Sequence, residues 1–190
     1  MQEMIDKRQE SNYFTYTEMN FISEIRKIWL NQAMWMRSFI VSTLENLGDT
    51  MAVTKRLFEN ADDFNNLLKV FFGEQVAENF AGLLSNHMSN LWQLVIAEKN
   101  KDSETADKST VALYQNADEI AAFLAQINPY WEEEKWKSLI YEHISMTIKE
   151  IELRLEGKYE EAISVYDSIE ENAYLIGDYM AKGIIETFTI

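Results

Sequence analysis

The sequence predicts an all-α protein, an antiparallel six-helix bundle built from three helical-hairpin repeats of about 56 residues. One proline and six glycines in 190 residues favour long helices over turn-rich β folds. Apolar residues recur at spacings of three and four along most of the chain, which is the helical period. A similarity that recurs every 56 residues then groups the helices into three hairpins.

The periodic segments end where helix-stop signals stand. Gly48, Gly73 and Gly157 each follow a periodic run, where a left-handed residue commonly ends a helix. Asp49 is expected to cap the second helix, and Asn128–Pro129 to begin the fifth. The six predicted helices cover residues 17–47, 49–72, 74–99, 103–127, 129–157 and 158–188.

The chain is predicted to form one helical-bundle domain over residues 17–190, preceded by an N-terminal arm over residues 1–16. The arm begins with charged residues and lacks the apolar run of a signal peptide. Its aromatic residues Tyr13, Phe14 and Tyr16 would pack either on the bundle or on a neighbouring copy. A homo-oligomer is therefore left open.

The repeat rests on two gap-free matches. Leu57–Asp63 aligns with Leu113–Glu119, and a further step of 56 residues reaches Ile169–Ala173. In the other helix of each hairpin, Leu83–His87 aligns with Leu139–His143. Each hairpin is thus expected to carry related polar positions.

Every predicted helix has one asparagine or histidine within its apolar stripe. Counting residues from the shared turns places five of them at one height in the bundle and Asn31 somewhat away from it. Buried amide and imidazole groups need partners, so these residues should bond one another, a water, an ion or a ligand. They form either one ring or two smaller clusters: Asn31, Asn60, His87, Asn116, His143 and Asn172.

Two interpretations of this polar layer stay open. The layer fixes the register of the helices, as single polar core residues do in coiled coils, or it holds a divalent metal ion or a small polar ligand. Candidate ligand-binding residues are Asn31, Asn60, Asn116, Asn172 and Arg37. Candidate metal ligands are His87, His143, Glu150, Glu119 and Asp63, because the three carboxylates follow layer residues by one or two helical turns. Arg37 is expected to pair with Asp63 or with an anionic ligand.

Composition excludes several classes of protein. The net charge of −15 opposes binding to nucleic acid or to an anionic membrane. No apolar run approaches the roughly 20 residues of a membrane span, so a soluble, cytoplasmic protein is expected. The absence of cysteine excludes thiolate metal sites and cysteine nucleophiles.

Known catalytic motifs are also missing. The residues three before the histidines are Leu84 and Ile140, so the chain lacks the Glu-x-x-His pairs of ferritin-type di-iron centres. Phosphate loops and nucleophile elbows are absent. A histidine beside a carboxylate leaves an enzyme open but not favoured. The sequence therefore predicts a non-enzymatic binding or structural protein whose polar layer holds an ion or ligand, or else a protein-interaction module in which the layer only sets register.

Several motifs together resemble a family of small all-helical proteins from spore-forming Gram-positive bacteria. The resemblance covers nearly all of the chain after about residue 20, and it implies an all-helical fold with a shared His/Asn layer. Some members carry the label acetylglutamate kinase, although the matching residues include no loop that holds a nucleotide. The matching motifs are Trp29 with Trp35-x-Arg37, Arg56-Leu57-x-x-Asn60, Asn116-Ala117-Asp118-Glu119-Ile120, Asn128-Pro129-Tyr130-Trp131, His143-x-x-x-Thr147-x-x-Glu150, Asp178 and Gly183-Ile184.

The chain departs from the family pattern at three places. Asn31 stands where relatives usually have histidine, Met36 replaces their usual threonine, and their Gln-Phe-Pro motif is missing around Phe188. If the family layer holds a metal through three related histidines, the resemblance implies that this chain lacks one of the three ligands.

Overall fold

A computed structural model describes residues 15–188, which form an antiparallel bundle of six helices and contain no strand. The predicted fold class is confirmed. The helices are α1 (Tyr16–Leu44), α2 (Thr50–Phe72), α3 (Glu74–Asn100), α4 (Ser103–Ile127), α5 (Glu133–Leu155) and α6 (Tyr159–Phe188). No helix in this described part of the chain is long and apolar enough to cross a membrane.

The bundle has an inner and an outer set of helices. Each helix packs against its neighbours in the chain, and α6 closes the ring by packing against α1. The odd helices α1, α3 and α5 also contact one another. These three therefore form a central triangle, with α2, α4 and α6 around it, and their inward faces enclose the middle of the core.

An aromatic cluster supports the central triangle. The ring of Trp29 on α1 meets Phe64 on α2 edge to face at 4.7 Å, and Phe64 meets Phe80 on α3 at 5.6 Å. Trp136 on α5 lies 6.4 Å from Trp29. Such pairs add to the free energy gained from burial alone. The cluster joins α1, α2, α3 and α5, so it fixes how the inner helices face one another.

The first turn differs from its prediction. The left-handed residue after α1 is Asn46, with φ 57°, and not Gly48. Asp49 does not cap α2 with its side chain, because its carboxylate instead accepts a hydrogen bond from the Ser42 hydroxyl at 2.9 Å. Helix α1 therefore ends at Leu44, three residues before the predicted end. Gly73 and Gly157 do adopt positive φ angles, as predicted.

The start of the fifth helix was also predicted wrongly. The helix begins at Glu133 and not at Pro129. Asn128 is fully buried, and its Oδ1 accepts a hydrogen bond from the Tyr130 backbone at 2.9 Å while its Nδ2 donates to the Gly183 carbonyl at 3.0 Å. The amide therefore closes an Asx turn and ties that turn to α6, and it is not available as a helix cap.

The N-terminal arm lies mostly outside the described residues, and Tyr13 and Phe14 fall there. Thr15 caps α1 in a capping box with Glu18, and Tyr16 begins the helix with 80% of its surface exposed. The bundle thus includes the last residues assigned to the arm.

Gly183 leaves the space in which the Trp131 indole packs against α6. A methyl group at Gly183 would overlap the indole, whereas nothing lies near the corresponding position at Gly82 on α3. We expect Gly183→Ala to lower the free energy of unfolding by about 1–3 kcal/mol, as overpacking does. Gly82→Ala is the matched control and should be neutral or stabilising by up to about 1 kcal/mol. Urea denaturation of both variants measures the difference. Equal free energies of unfolding for the two variants would contradict close packing of the Trp131 indole against Gly183.

Candidate functional site

His87 on the inner helix α3 is held by an asparagine from α4. Its Nδ1 lies 2.9 Å from Oδ1 of Asn116, and Nδ2 of Asn116 donates to the backbone carbonyl of Leu83 at 3.2 Å. Leu83 is one turn before His87 on the same helix. The Asn116 amide therefore links the His87 ring to the backbone of α3. Both polar atoms of the Asn116 side chain therefore have a hydrogen-bond partner on α3.

The same arrangement recurs around His143 on α5. Its Nδ1 lies 3.0 Å from Oδ1 of Asn172 on α6, and Nδ2 of Asn172 donates to the Leu139 carbonyl at 3.3 Å. The sequence separations of 29 and 33 residues are the same in both units. The two units thus stand in equivalent places in the second and third hairpins, while the wider sequence repeat stays a prediction.

The asparagines fix the tautomer of both histidines. An amide that donates Nδ2–H to a carbonyl must present its oxygen to the ring, and an oxygen there can only accept. Each ring nitrogen Nδ1 therefore carries the proton, and each Nε2 is left with a free lone pair. Burial lowers the pKa of His87 to about 4, with the nearby His143 adding to the effect, and burial likewise lowers the pKa of His143.

Both histidines border two small cavities inside the central triangle. One cavity of about 20 Å³ lies toward Leu84 and Ile140, one turn before the histidines, and the other of about 10 Å³ lies toward Leu91 and Thr147, one turn after them. Nε2 of either ring makes no hydrogen bond to any residue between 15 and 188. A site of roughly 10–15 Å³ holds one water molecule, so these cavities fit a single small occupant.

Helix α1 contributes two residues that the sequence analysis missed. Gln32, only 4% exposed, borders the larger cavity, and its Oε1 has no hydrogen-bond partner among the described residues. Met36, one turn later, borders the smaller cavity. Both residues lie on the helical stripe that includes Trp29, which was the available signal. The 56-residue alignment pointed to the neighbouring Asn31 instead.

Asn31 does not belong to the layer, contrary to expectation. It is half-buried and lies in an outer groove with Arg26 and Tyr174. Its predicted counterpart Asn60 is buried on α2, where Oδ1 accepts a hydrogen bond from Arg56 at 2.7 Å. The first hairpin therefore has no His–Asn unit, because α1 turns Gln32 and not residue 31 toward the centre.

The predicted acidic ligands do not join the histidines. Asp63 pairs with Arg56 at 3.1 Å, and Glu119 is exposed on the outside of α4. Glu150 is buried, but Arg37 from α1 occupies its carboxylate. Within residues 15–188, no three acidic or histidine side chains come close enough to hold a metal together. A carboxylate-rich centre is therefore absent from this part of the chain, and the polar layer consists of two His–Asn units with Gln32.

Arg37 pairs with Glu150 and not with Asp63 as the sequence suggested. Its guanidinium also lies 4.4 Å from the centre of the Tyr166 ring on α6, so one arginine joins α1, α5 and α6. Burial raises the pKa of the Glu150 carboxyl, and the charges of Arg37 and Arg154 oppose that rise. Arg37 thus forms an ion pair and a cation–π contact at the junction of three helices.

Comparisons with known proteins give no further information about this site. The chain matches no family model, and no curated protein or solved structure shows significant similarity to it. The functional conclusion therefore depends on the residues themselves.

The depressed pKa values predict a pH dependence of stability. Both rings are neutral in the fold, while the unfolded chain protonates its histidines near the ordinary value of 6.5. From pH 6.5 toward 4 the unfolded state binds more protons, so the free energy of unfolding falls as the pH drops. Urea denaturation at steps between pH 7.5 and 5 measures this loss.

The control is His87→Gln/His143→Gln, which contains no histidine, since the chain has only two. Glu150 acts in the opposite direction, because its raised pKa favours the fold at acid pH, and it acts equally in both proteins. The difference between wild type and control should therefore shrink as the pH falls. A difference that is independent of pH would contradict neutral, buried rings.

The buried pair of Arg37 and Glu150 yields a second prediction. Arg37→Met leaves the Glu150 carboxylate buried without its counter-charge, and such a loss costs about 3–5 kcal/mol. The loss should be smaller at acid pH, where the carboxyl is protonated. The control is Lys55→Met, which removes the exposed pair with Glu59 and should change stability little. Thermal unfolding compares the variants, and similar effects from both would contradict the role of burial.

Proposed function

We propose that this protein is a non-enzymatic binding protein whose central layer holds a single metal ion between Nε2 of His87 and Nε2 of His143. The observation that carries the proposal is that both imidazole rings line the same two small cavities, while their unprotonated Nε2 atoms make no hydrogen bond to the described residues. Metal-bound histidines commonly donate their other ring N–H to an oxygen that fixes the tautomer. Asn116 and Asn172 act in this way.

Two free imidazole nitrogens support a cation. His87, His143, Gln32 and Trp29 line the larger cavity, and Gln32 Oε1 and the Trp29 indole N–H have no hydrogen-bond partner among the described residues. An unprotonated imidazole nitrogen is a good ligand for borderline and soft metal ions. Two such rings on one cavity therefore suit a single bound ion.

The small volume of the cavities limits which classes of ligand can bind. Volumes of about 10 and 20 Å³ are far below the several hundred Å³ of typical small-molecule pockets. A sugar, amino acid or nucleotide would need the inner helices to separate. Of the two ligand classes expected from the sequence, an ion fits this packing and an organic molecule does not.

The alternative is a protein-interaction module in which the layer only fixes register. One observation favours it: the Asn–His–carbonyl bonds are complete within the protein, and one buried water in the larger cavity would meet part of the remaining demand. In that case the acidic surface, with a net charge of −15, would bind a basic protein partner in a salt-dependent way.

The expectations of a cytoplasmic location, no nucleic-acid partner and membership of the helical family from spore-formers also remain part of this proposal. They rest on composition and on the quoted motifs.

Metal titration of tag-free protein tests the proposal. Native mass spectrometry with Zn²⁺, Co²⁺ and Cu⁺, the last under anaerobic reducing conditions, should show one tightly bound ion per chain for at least one metal. At a free concentration of 100 times Kd, that ion should raise the free energy of unfolding by about 2.7 kcal/mol. His87→Gln/His143→Gln should lose both effects while retaining its helical circular dichroism.

Asn60→Leu is the matched control, since Asn60 is equally buried but borders neither cavity. It should bind the same ion with unchanged affinity. If no metal binds the wild type, or if the double variant binds as well as the wild type, the register interpretation replaces the proposal.

A further inference from the structure

Helix α1 offers a different donor on each side of the histidine pair. Gln32, which has an amide, lines the larger cavity, and Met36, which has a thioether, lines the smaller one. Met36 is only 2% exposed, and its Sδ lies 3.8 Å from the oxygen of the Thr147 hydroxyl, whose proton is donated to the His143 carbonyl at 2.8 Å. Met36 therefore lines the same cavity as the histidine pair.

Every donor available at this site is neutral. Two imidazoles, one thioether and one amide belong to residues that line the cavities, whereas the carboxylate of Glu150, which is buried, lines neither cavity and is paired with Arg37. A divalent ion would bury two uncompensated charges among apolar side chains such as Leu91, and burying charge without compensation is costly. A monovalent ion buries half as much charge.

The donor types also select the ion. Thioether sulfur is a soft ligand that favours Cu⁺, and imidazole binds copper readily. Cu⁺ is stable with only two or three ligands, unlike Zn²⁺, which is usually four-coordinate. The cavity beside Met36, at about 10 Å³, has no room for the additional waters that a harder ion would require. The neutral ligands, the soft thioether and the small number of donors thus all favour Cu⁺.

Resting on the proposed function, we infer that the bound ion is Cu⁺, held by Nε2 of His87, Nε2 of His143 and Sδ of Met36. Asn116 and Asn172 position the two rings, and the Thr147 side chain packs 3.8 Å from the sulfur. The site would keep copper in the reduced state and away from water, as suits storage or delivery of Cu⁺ and not redox catalysis. The inner position of the site means that exchange requires the helices to open.

Anaerobic competition against a chromophoric Cu⁺ chelator, with ascorbate present, tests this inference. Wild type should take up one Cu⁺ per chain, and X-ray absorption should show nitrogen and sulfur neighbours of the copper. Met36→Leu keeps the volume of the side chain but removes the sulfur. We expect it to weaken Cu⁺ binding by about tenfold or more, equivalent to about 1.4 kcal/mol, and to remove the sulfur signal.

Met180→Leu is the matched control, because Met180 is fully buried on α6 and borders neither cavity. It should retain wild-type Cu⁺ affinity and the sulfur signal. The same two variants are titrated with Zn²⁺ against a metal dye, where Cu⁺ is expected to be preferred and Met36→Leu to have little effect. Circular dichroism confirms folding of each variant.

The results of these titrations distinguish a failure of the Cu⁺ assignment from a failure of the proposed metal site. If Zn²⁺ binds more tightly than Cu⁺, or if Gln32→Leu weakens metal binding while Met36→Leu does not, the ion lies on the Gln32 side and the inference is wrong. The His-pair metal site would survive that result. If neither ion binds wild type, the proposed function itself fails.

Discussion

The central layer depends on one interaction, the asparagine amide that joins a histidine ring to the backbone carbonyl one turn before it. In the unit of His87 and Asn116, the carbonyl orients the amide, the amide oxygen orients the ring, and Nδ1 must then carry the proton. The unit of His143 and Asn172 repeats every step. A change of register between the paired helices would break both bonds of a unit, so the same contacts specify the packing and determine which nitrogen is free.

Helix α1, the third helix of the central triangle, determines which side chains line the site besides the two histidines. A third His–Asn unit would surround the centre with three imidazoles, but α1 supplies Gln32 and Met36 instead. Its half-buried arginine, Arg37, neutralises the buried Glu150 on α5. The centre is therefore small and lined by neutral side chains, and the proposal of a soft ion of low charge depends on these properties.

The fold and half of the site were predictable from the sequence, for identifiable physical reasons. Helical periodicity and sparse glycine gave the six helices, and the alignment of His87 with His143 placed two equivalent histidines in one layer. The error at Asn31 arose because the alignment assumes equal rotation of each helix, whereas α1 turns Gln32 inward. The carboxylates do not join the histidines for different reasons: Arg37 reaches Glu150 from another helix, Arg56 pairs with Asp63 on the same helix, and Glu119 faces outward, and local spacing shows none of this. The Asn128 turn was misassigned because its partner, Gly183, is distant in sequence.

The most direct test of this account is nitrogen NMR of protein labelled with ¹⁵N only in histidine, which yields two rings and no others. Long-range ¹H–¹⁵N correlation at neutral pH should show Nδ1 protonated and Nε2 unprotonated in both rings. Addition of Cu⁺ should then shift both Nε2 resonances while leaving the Nδ1 protons in place. Rings with the proton on Nε2, or charged rings, would contradict the asparagine-fixed tautomer, and unmoved Nε2 resonances would contradict a metal between the two histidines.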